Sequence, residues 1–107
     1  MVIIVAICSP DGATAPLPNK PLLLIVDDDP LISDALSHAF AAEFDIVTSH
    51  ARPHCLALLR QLRQTPQVAL VDLGLPPQPH RPDEGFALIG ELLAHAPEMK
   101  IIVLSGQ

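Results

Sequence analysis

Positive charge is scarce in this chain. Its 107 residues carry six Lys and Arg against twelve Asp and Glu, a formal net charge of −6. Nonspecific nucleic-acid binding works by displacing counterions with cationic side chains, so direct nucleic-acid binding by this segment is not expected. The acids are spread along the chain and form no acidic tail. Cysteine is nearly absent: Cys8 and Cys55 are the two present, with no CxxC or metal spacing. That argues against a disulfide framework or a structural zinc site and fits a reduced, cytoplasmic setting. Membrane signals are missing too. The run "MVIIVAIC" has no Lys or Arg before it, unlike a signal peptide, and is far shorter than the roughly 20 apolar residues a membrane helix needs. No internal repeat is visible.

What is present is apolar residue in quantity. Half of the chain is hydrophobic and 17% is charged, which predicts a folded single domain rather than a disordered segment. Residues 1–20 stand apart. After "MVIIVAIC" comes "SPDGATAPLPNKP", rich in Pro, Gly and small residues, which reads as a linker. Residues 1–20 are therefore an N-terminal extension, or Val2–Cys8 is a strand that pairs with something.

From Pro21 onward the pattern alternates. Leu22–Val26 is a continuous apolar run, as in a strand buried on both faces. Asp29 before Pro30 is a helix start, an N-cap followed by proline in the first turn. Ile32, Ala35, Leu36, Ala39 and Phe40 then recur at helical spacing. "FDIVTS" is a second strand, and Pro53 opens a helix with Cys55, Leu58, Leu59 and Leu62 on one face, Cys55 being a core position. "VALVDL" is a third strand; a proline-rich loop leads to a helix carrying Phe86, Ile89 and Leu93; "KIIVLS" is a fourth strand. The order β-α-β-α-β-α-β predicts an α/β fold, a doubly wound parallel sheet with helices on both faces.

Function in such sheets gathers beyond the carboxyl ends of the strands. Three strands end there in polar groups: Asp27-Asp28-Asp29, Asp72, and Ser105-Gly106. Asp27, Asp28 and Asp72 would form a nest of hard oxygen ligands suited to Mg²⁺, whose charge offsets their mutual repulsion. Asp29 is better placed as the helix cap, facing the positive end of the dipole. His38, His50, His54, His80 and His95 are scattered without convincing metal spacing and read as surface or half-buried residues.

"LLLIVDDDP", "VALVDLGLPP" and "IIVLSGQ", in that order, resemble the receiver domain of two-component response regulators over residues 21–107. The resemblance implies a flavodoxin-like sheet in the order 2-1-3-4, counting from Leu22–Val26. It implies Asp72 as phospho-acceptor, and Mg²⁺ held by Asp28, Asp72 and the carbonyl of Gly74, with Asp27 acting through a metal-bound water. Ser105 would be the switch hydroxyl. The donor would be a sensor histidine kinase or phosphotransfer protein, and the effector an output domain outside this segment. The wording "LVDLGLPP…LSGQ" is similar to a subgroup with transcription-factor outputs, including regulators linked to exopolysaccharide and PEP-CTERM systems. Such a domain is a phospho-acceptor and not an enzyme beyond its own phosphorylation and dephosphorylation.

The sequence departs from that family in two places. Receivers carry a Lys at the end of a fifth strand and then a fifth helix. Neither has a counterpart here, and Lys20 and Lys100 do not match the position. The expectation is a fragment of a longer regulator or an inactive remnant. A domain stopping after the fourth strand would leave that strand a bare edge with an uncovered apolar face. It should then self-associate, as a homodimer or aggregate, or recruit Val2–Cys8 as an edge strand. The second departure is the long loop from Asp72 to Gly85, with Pro76, Pro77, Pro79 and Pro82. It reads as shaping kinase access or as a tolerated insertion. Two rival readings remain: a phosphorylation-independent interaction module of receiver shape, and a haloacid-dehalogenase-like phosphatase fragment with Asp27 as nucleophile and Asp29 as acid/base.

Overall fold

The computed structural model describes residues 3–7 and 20–105. Residues 1–2 and 8–19, with Val2 and Cys8 of the expected strand, and Gly106 and Gln107 lie outside the described residues. The elements in chain order are β1 (Ile3–Ile7), β2 (Leu22–Val26), α1 (Pro30–Phe40), β3 (Asp45–Ser49), α2 (Arg52–Gln61), β4 (Val68–Asp72), α3 (Asp83–His95) and β5 (Lys100–Ser105). They build one five-stranded sheet in the order β1-β5-β4-β2-β3. β3, β2, β4 and β5 run parallel, which is the expected 2-1-3-4 arrangement. No helix among the described residues is long and apolar enough to cross a membrane.

β2 is an interior strand, between β4 and β3, because every one of its residues is apolar and buried, a pattern that needs neighbours on both sides and both faces. Its odd and even positions serve different layers. Leu24 and Val26 face a core shared with Ala69, Val71, Ile101 and Val103, closed by Cys55 and Leu59 of α2 and by Leu88, Ile89 and Leu92 of α3. Leu23 and Ile25 face the other side with Leu70 and Leu104, against Leu36 and Phe40 of α1 and Phe44 beyond it. Phe40 and Phe44 meet edge to face with centroids 6.1 Å apart.

Two helical faces differ from the sequence expectation. In α3 the buried stripe is Gly85, Leu88, Ile89 and Leu92, while Phe86 is 57% exposed. The segment "FALIGELLA" has apolar residues on several sides, so periodicity alone does not select the buried one. In α1 no residue is fully buried; Leu36 and Phe40 are half-buried, while Ile32, Ala35 and Ala39 are exposed.

The edge at β5 is covered as the recruitment alternative expected, by the described part of Val2–Cys8. Ile3–Ile7 pairs with β5 antiparallel, from Ile3 opposite Ser105 to Ile7 opposite Ile101. Antiparallel pairing brings Ile7 to the same end of the sheet as Leu22, where β2 begins. The ends of β1 and β2 are then three strand spacings apart, about 14 Å, well within the reach of about a dozen residues.

Candidate functional site

Three backbone placements build an acidic nest at the carboxyl edge of the sheet. β2 ends at Val26, which is in register with Val71 of β4, so Asp27 emerges level with Asp72. Asp28 follows directly. Carboxylate oxygens of Asp27, Asp28 and Asp72 lie within 4.8 Å of one another. Asp27 is buried and the other two are half-buried.

Local hydrogen bonds hold Asp27, Asp29 and Asp72 in place. The Asp27 N–H donates to the carbonyl of Ser49 at 3.0 Å, tying the turn after β2 to the end of β3. Asp27 Oδ1 accepts the N–H of Asp29 at 2.9 Å. Asp29 caps α1, its Oδ1 accepting the N–H of Leu31 at 3.0 Å, as the Asp-Pro pair predicts. Asp72 Oδ1 accepts the N–H of Gly74 at 3.0 Å. Leu73 donates its N–H to the carbonyl of Leu104 at 3.1 Å, which joins the loop after β4 to the end of β5.

Burial has an electrostatic consequence. It pushes the carboxyl of Asp72 up to about 6, against the lowering effect of the Gly74 N–H and with help from the charges of Asp27 and Asp28. Asp27 is raised as well, first by burial and then by the charges of Asp28 and Asp29, partly offset by the Asp29 N–H. The nest therefore favours taking up positive charge, as a proton or a cation. The donors are all carboxylate oxygens, the ligand chemistry of Mg²⁺ and Ca²⁺, and their spacing fits one hard divalent cation.

The other residues singled out in the sequence are placed as follows. Gly74 lies in the loop after β4, beside Asp72. Ser105 is the last residue of β5 at the same edge of the sheet, opposite Ile3; its side chain lies outside the described residues. Lys20 donates to the carbonyl of Ala41 past the end of α1, and Lys100 begins β5 at the opposite edge. Cys55 is fully buried, and burial lifts its thiol to about 11, so it is an inert core residue. The five histidines are exposed. His54 Nδ1 lies 2.7 Å from the hydroxyl of Ser49.

Three supports of the site escaped the sequence reading. Leu75 is fully buried and anchors the loop that carries Gly74. Gly85 sits where a Cβ would come within 2.7 Å of the Leu73 carbonyl and 2.9 Å of the Asp72 carbonyl, so only glycine lets α3 approach the end of β4. Arg52, at the start of α2, bonds Glu84 at 3.0 Å and Glu91 at 2.8 Å, both on α3. A glycine closing a long loop into a helix is the one signal in the sequence that points to such a contact. Gly74 is similarly confined, with the carbonyl of Pro79 folded against it.

Four parallel strands in this order with flanking helices form the flavodoxin-like fold of response-regulator receivers, and the solved structures similar to this chain include receiver domains that match over most of its length. One is a receiver domain protein (CheY-like) from Methanospirillum hungatei, at 27% identity and TM-score 0.71, covering 83% of this chain and 66% of that one. Another is a response regulator receiver protein from Pseudomonas putida, at 25% identity and TM-score 0.70, covering 85% of this chain and 72% of that one. A third, alike in fold, is a response regulator from Burkholderia pseudomallei with a phosphorylated aspartic acid, a calcium ion and citrate. It has 24% identity and TM-score 0.69, and the match covers 82% of this chain and 48% of that one, so the chain spans about half of it. No family model and no curated protein matches the sequence.

Proposed function

We propose that residues 21–107 act as the receiver module of a cytoplasmic response regulator. Asp72 accepts a phosphoryl group from a phosphohistidine on a sensor histidine kinase or phosphotransfer protein. The observation that carries this reading is the convergence of Asp27, Asp28 and Asp72 within 4.8 Å, with one oxygen of Asp72 already held by Gly74. The bond from Gly74 fixes the carboxylate and leaves its second oxygen as the nucleophile. That oxygen forms the new P–O bond while the P–N bond of the donor breaks, which gives an acyl phosphate. Near neutral pH a carboxyl titrating at about 6 is mostly ionised and able to attack. Asp27, Asp28, Asp72 and the Gly74 carbonyl are the groups that would hold Mg²⁺. When bound, Mg²⁺ supplies charge neutralisation for the acids and for the phosphoryl oxygens.

Ser105 is the proposed switch hydroxyl, and the coupling runs through β5, whose Leu104 carbonyl already accepts from Leu73. A transcriptional output domain outside this segment is the proposed effector, with the exopolysaccharide and PEP-CTERM regulators as its narrowest grouping. The phosphatase-like alternative needs Asp29 as acid/base, but Asp29 is engaged as the cap of α1.

The test is intact-mass analysis of the full chain after incubation with acetyl phosphate, with and without Mg²⁺. The expected result is one added phosphoryl group that requires Mg²⁺, is removed by hydroxylamine and is lost in Asp72→Asn. Labelling of Asp72→Asn at Asp27 would favour the phosphatase-like reading. No labelling of the unaltered chain would favour a phosphorylation-independent interaction module.

A further inference from the structure

The two backbone segments that carry the acidic nest are each held by a neighbouring element. The turn after β2 hangs from β3, through the bond from the Asp27 N–H to the Ser49 carbonyl. The end of β4 rests against the first turn of α3, where Gly85 meets the backbone of Asp72 and Leu73. Arg52 and its partners join these two supports. Arg52 lies just past Ser49, as the first residue of α2. Its Nε donates to Glu84 Oε2 at 3.0 Å, and Glu84 is the residue immediately before Gly85. Its Nη1 donates to Glu91 Oε1 at 2.8 Å, two turns further along the same face of α3. The Arg52 and Glu84 side chains are 32% and 22% exposed, so this arm is partly withdrawn from water.

We propose that Arg52 is a positioning residue for the nest. It fixes the first turn of α3 relative to the end of β3, and thereby the Asp72–Gly74 backbone relative to Asp27 and Asp28. The geometry suits Arg and not Lys. A planar guanidinium has donors on several nitrogens and reaches two carboxylates at once, whereas an ammonium is a single point charge. An ordinary surface ion pair would contribute little and would have no bearing on the site. The two arms distinguish these roles. Both tie α2 to α3, but only the Glu84 arm adjoins Gly85 and the backbone of Asp72. That the braced nest takes up a cation rests on the function proposed above; the bracing itself does not.

The experiment compares Arg52→Gln, Arg52→Lys, Glu84→Gln and Glu91→Gln in the full chain by three measurements: thermal melting, amide hydrogen exchange, and Mn²⁺ binding by titration calorimetry. Arg52→Gln and Glu84→Gln are expected to speed exchange selectively at the amides of Leu73 and Gly74. They should weaken Mn²⁺ binding by about tenfold, the effect typical of losing a group that orients a ligand. Arg52→Lys is expected to restore part of both, and Glu91→Gln to leave the two amides and the Mn²⁺ affinity near those of the unaltered chain. Equal loss of melting temperature in Arg52→Gln, Glu84→Gln and Glu91→Gln, with the Leu73 and Gly74 amides unchanged, would overturn the proposal. Failure of the unaltered chain to bind Mn²⁺ would count against the cation site, and the exchange pattern alone would then decide the role of Arg52.

Discussion

The two faces of the sheet are covered by helices of the same general kind, yet they are closed to different degrees. On one face, α2 and α3 contribute Cys55, Leu59, Leu88, Ile89 and Leu92 to a core that also takes in Leu75 and Met99. On the other, α1 contributes no fully buried residue, and Leu36 and Phe40 pack half-buried over Leu23, Ile25 and Leu70. The difference shows where rigidity is concentrated. The closed face supports the end of β4 through Gly85 and Leu75, next to Asp72. The looser face begins at Asp29, where α1 is held by its cap and by shallow apolar contact.

Matched leucine deletions give the largest expected contrast. Leu92→Ala empties a fully buried position and should cost about 2–5 kcal/mol in urea unfolding. Leu36→Ala removes a half-buried side chain and should cost less than about 2 kcal/mol. Equal losses would mean that the two faces are closed alike.

Gly85→Ala tests whether the closed face supports the site. The new methyl would run into the Leu73 and Asp72 carbonyls and push α3 off the end of β4, at about 1–3 kcal/mol. The Gly74 amide should exchange faster than in the unaltered chain. Gly90 is exposed with open space around it, so Gly90→Ala is the control and should not destabilise.

A smaller effect is expected from pH. The folded pKa of Asp72 is raised to about 6 from an ordinary value of 3.8, so the folded state binds the proton more tightly than the unfolded chain does. The stability contributed by that proton is complete below about pH 4 and is lost as pH rises through about 6. Metal-free protein should therefore gain stability from this group between pH 7 and pH 4. Asp72→Asn should flatten the dependence, and Mg²⁺ should do the same by stabilising the ionised nest. A melting temperature that falls steadily over that window in metal-free protein, and falls equally in Asp72→Asn, would show that other groups govern the response.

Several features of this protein could be read along the chain because their causes are local. The unbroken apolar run of Leu22–Val26 called for a parallel strand buried on both faces. The Asp29-Pro30 pair specified a capped helix start, and acids directly after two apolar strands pointed to one edge of the sheet. Other features depended on residues far apart in sequence and were decided by packing. The buried side of α3 is set by what the sheet presents to it, so Leu88 and Leu92 go inside and Phe86 stays out. The contact of Gly85 with Leu73 requires the proline-rich loop to fold back first. Arg52 finds Glu84 and Glu91 only when α2 and α3 lie side by side. Val2–Cys8 was an apolar run with two readings until β5 offered Ile3–Ile7 a free edge at the end of the sheet that its linker could reach. Periodicity and capping act between neighbours and are written in the sequence, whereas register, close approach and ion pairing across elements exist only once the sheet has brought its parts together.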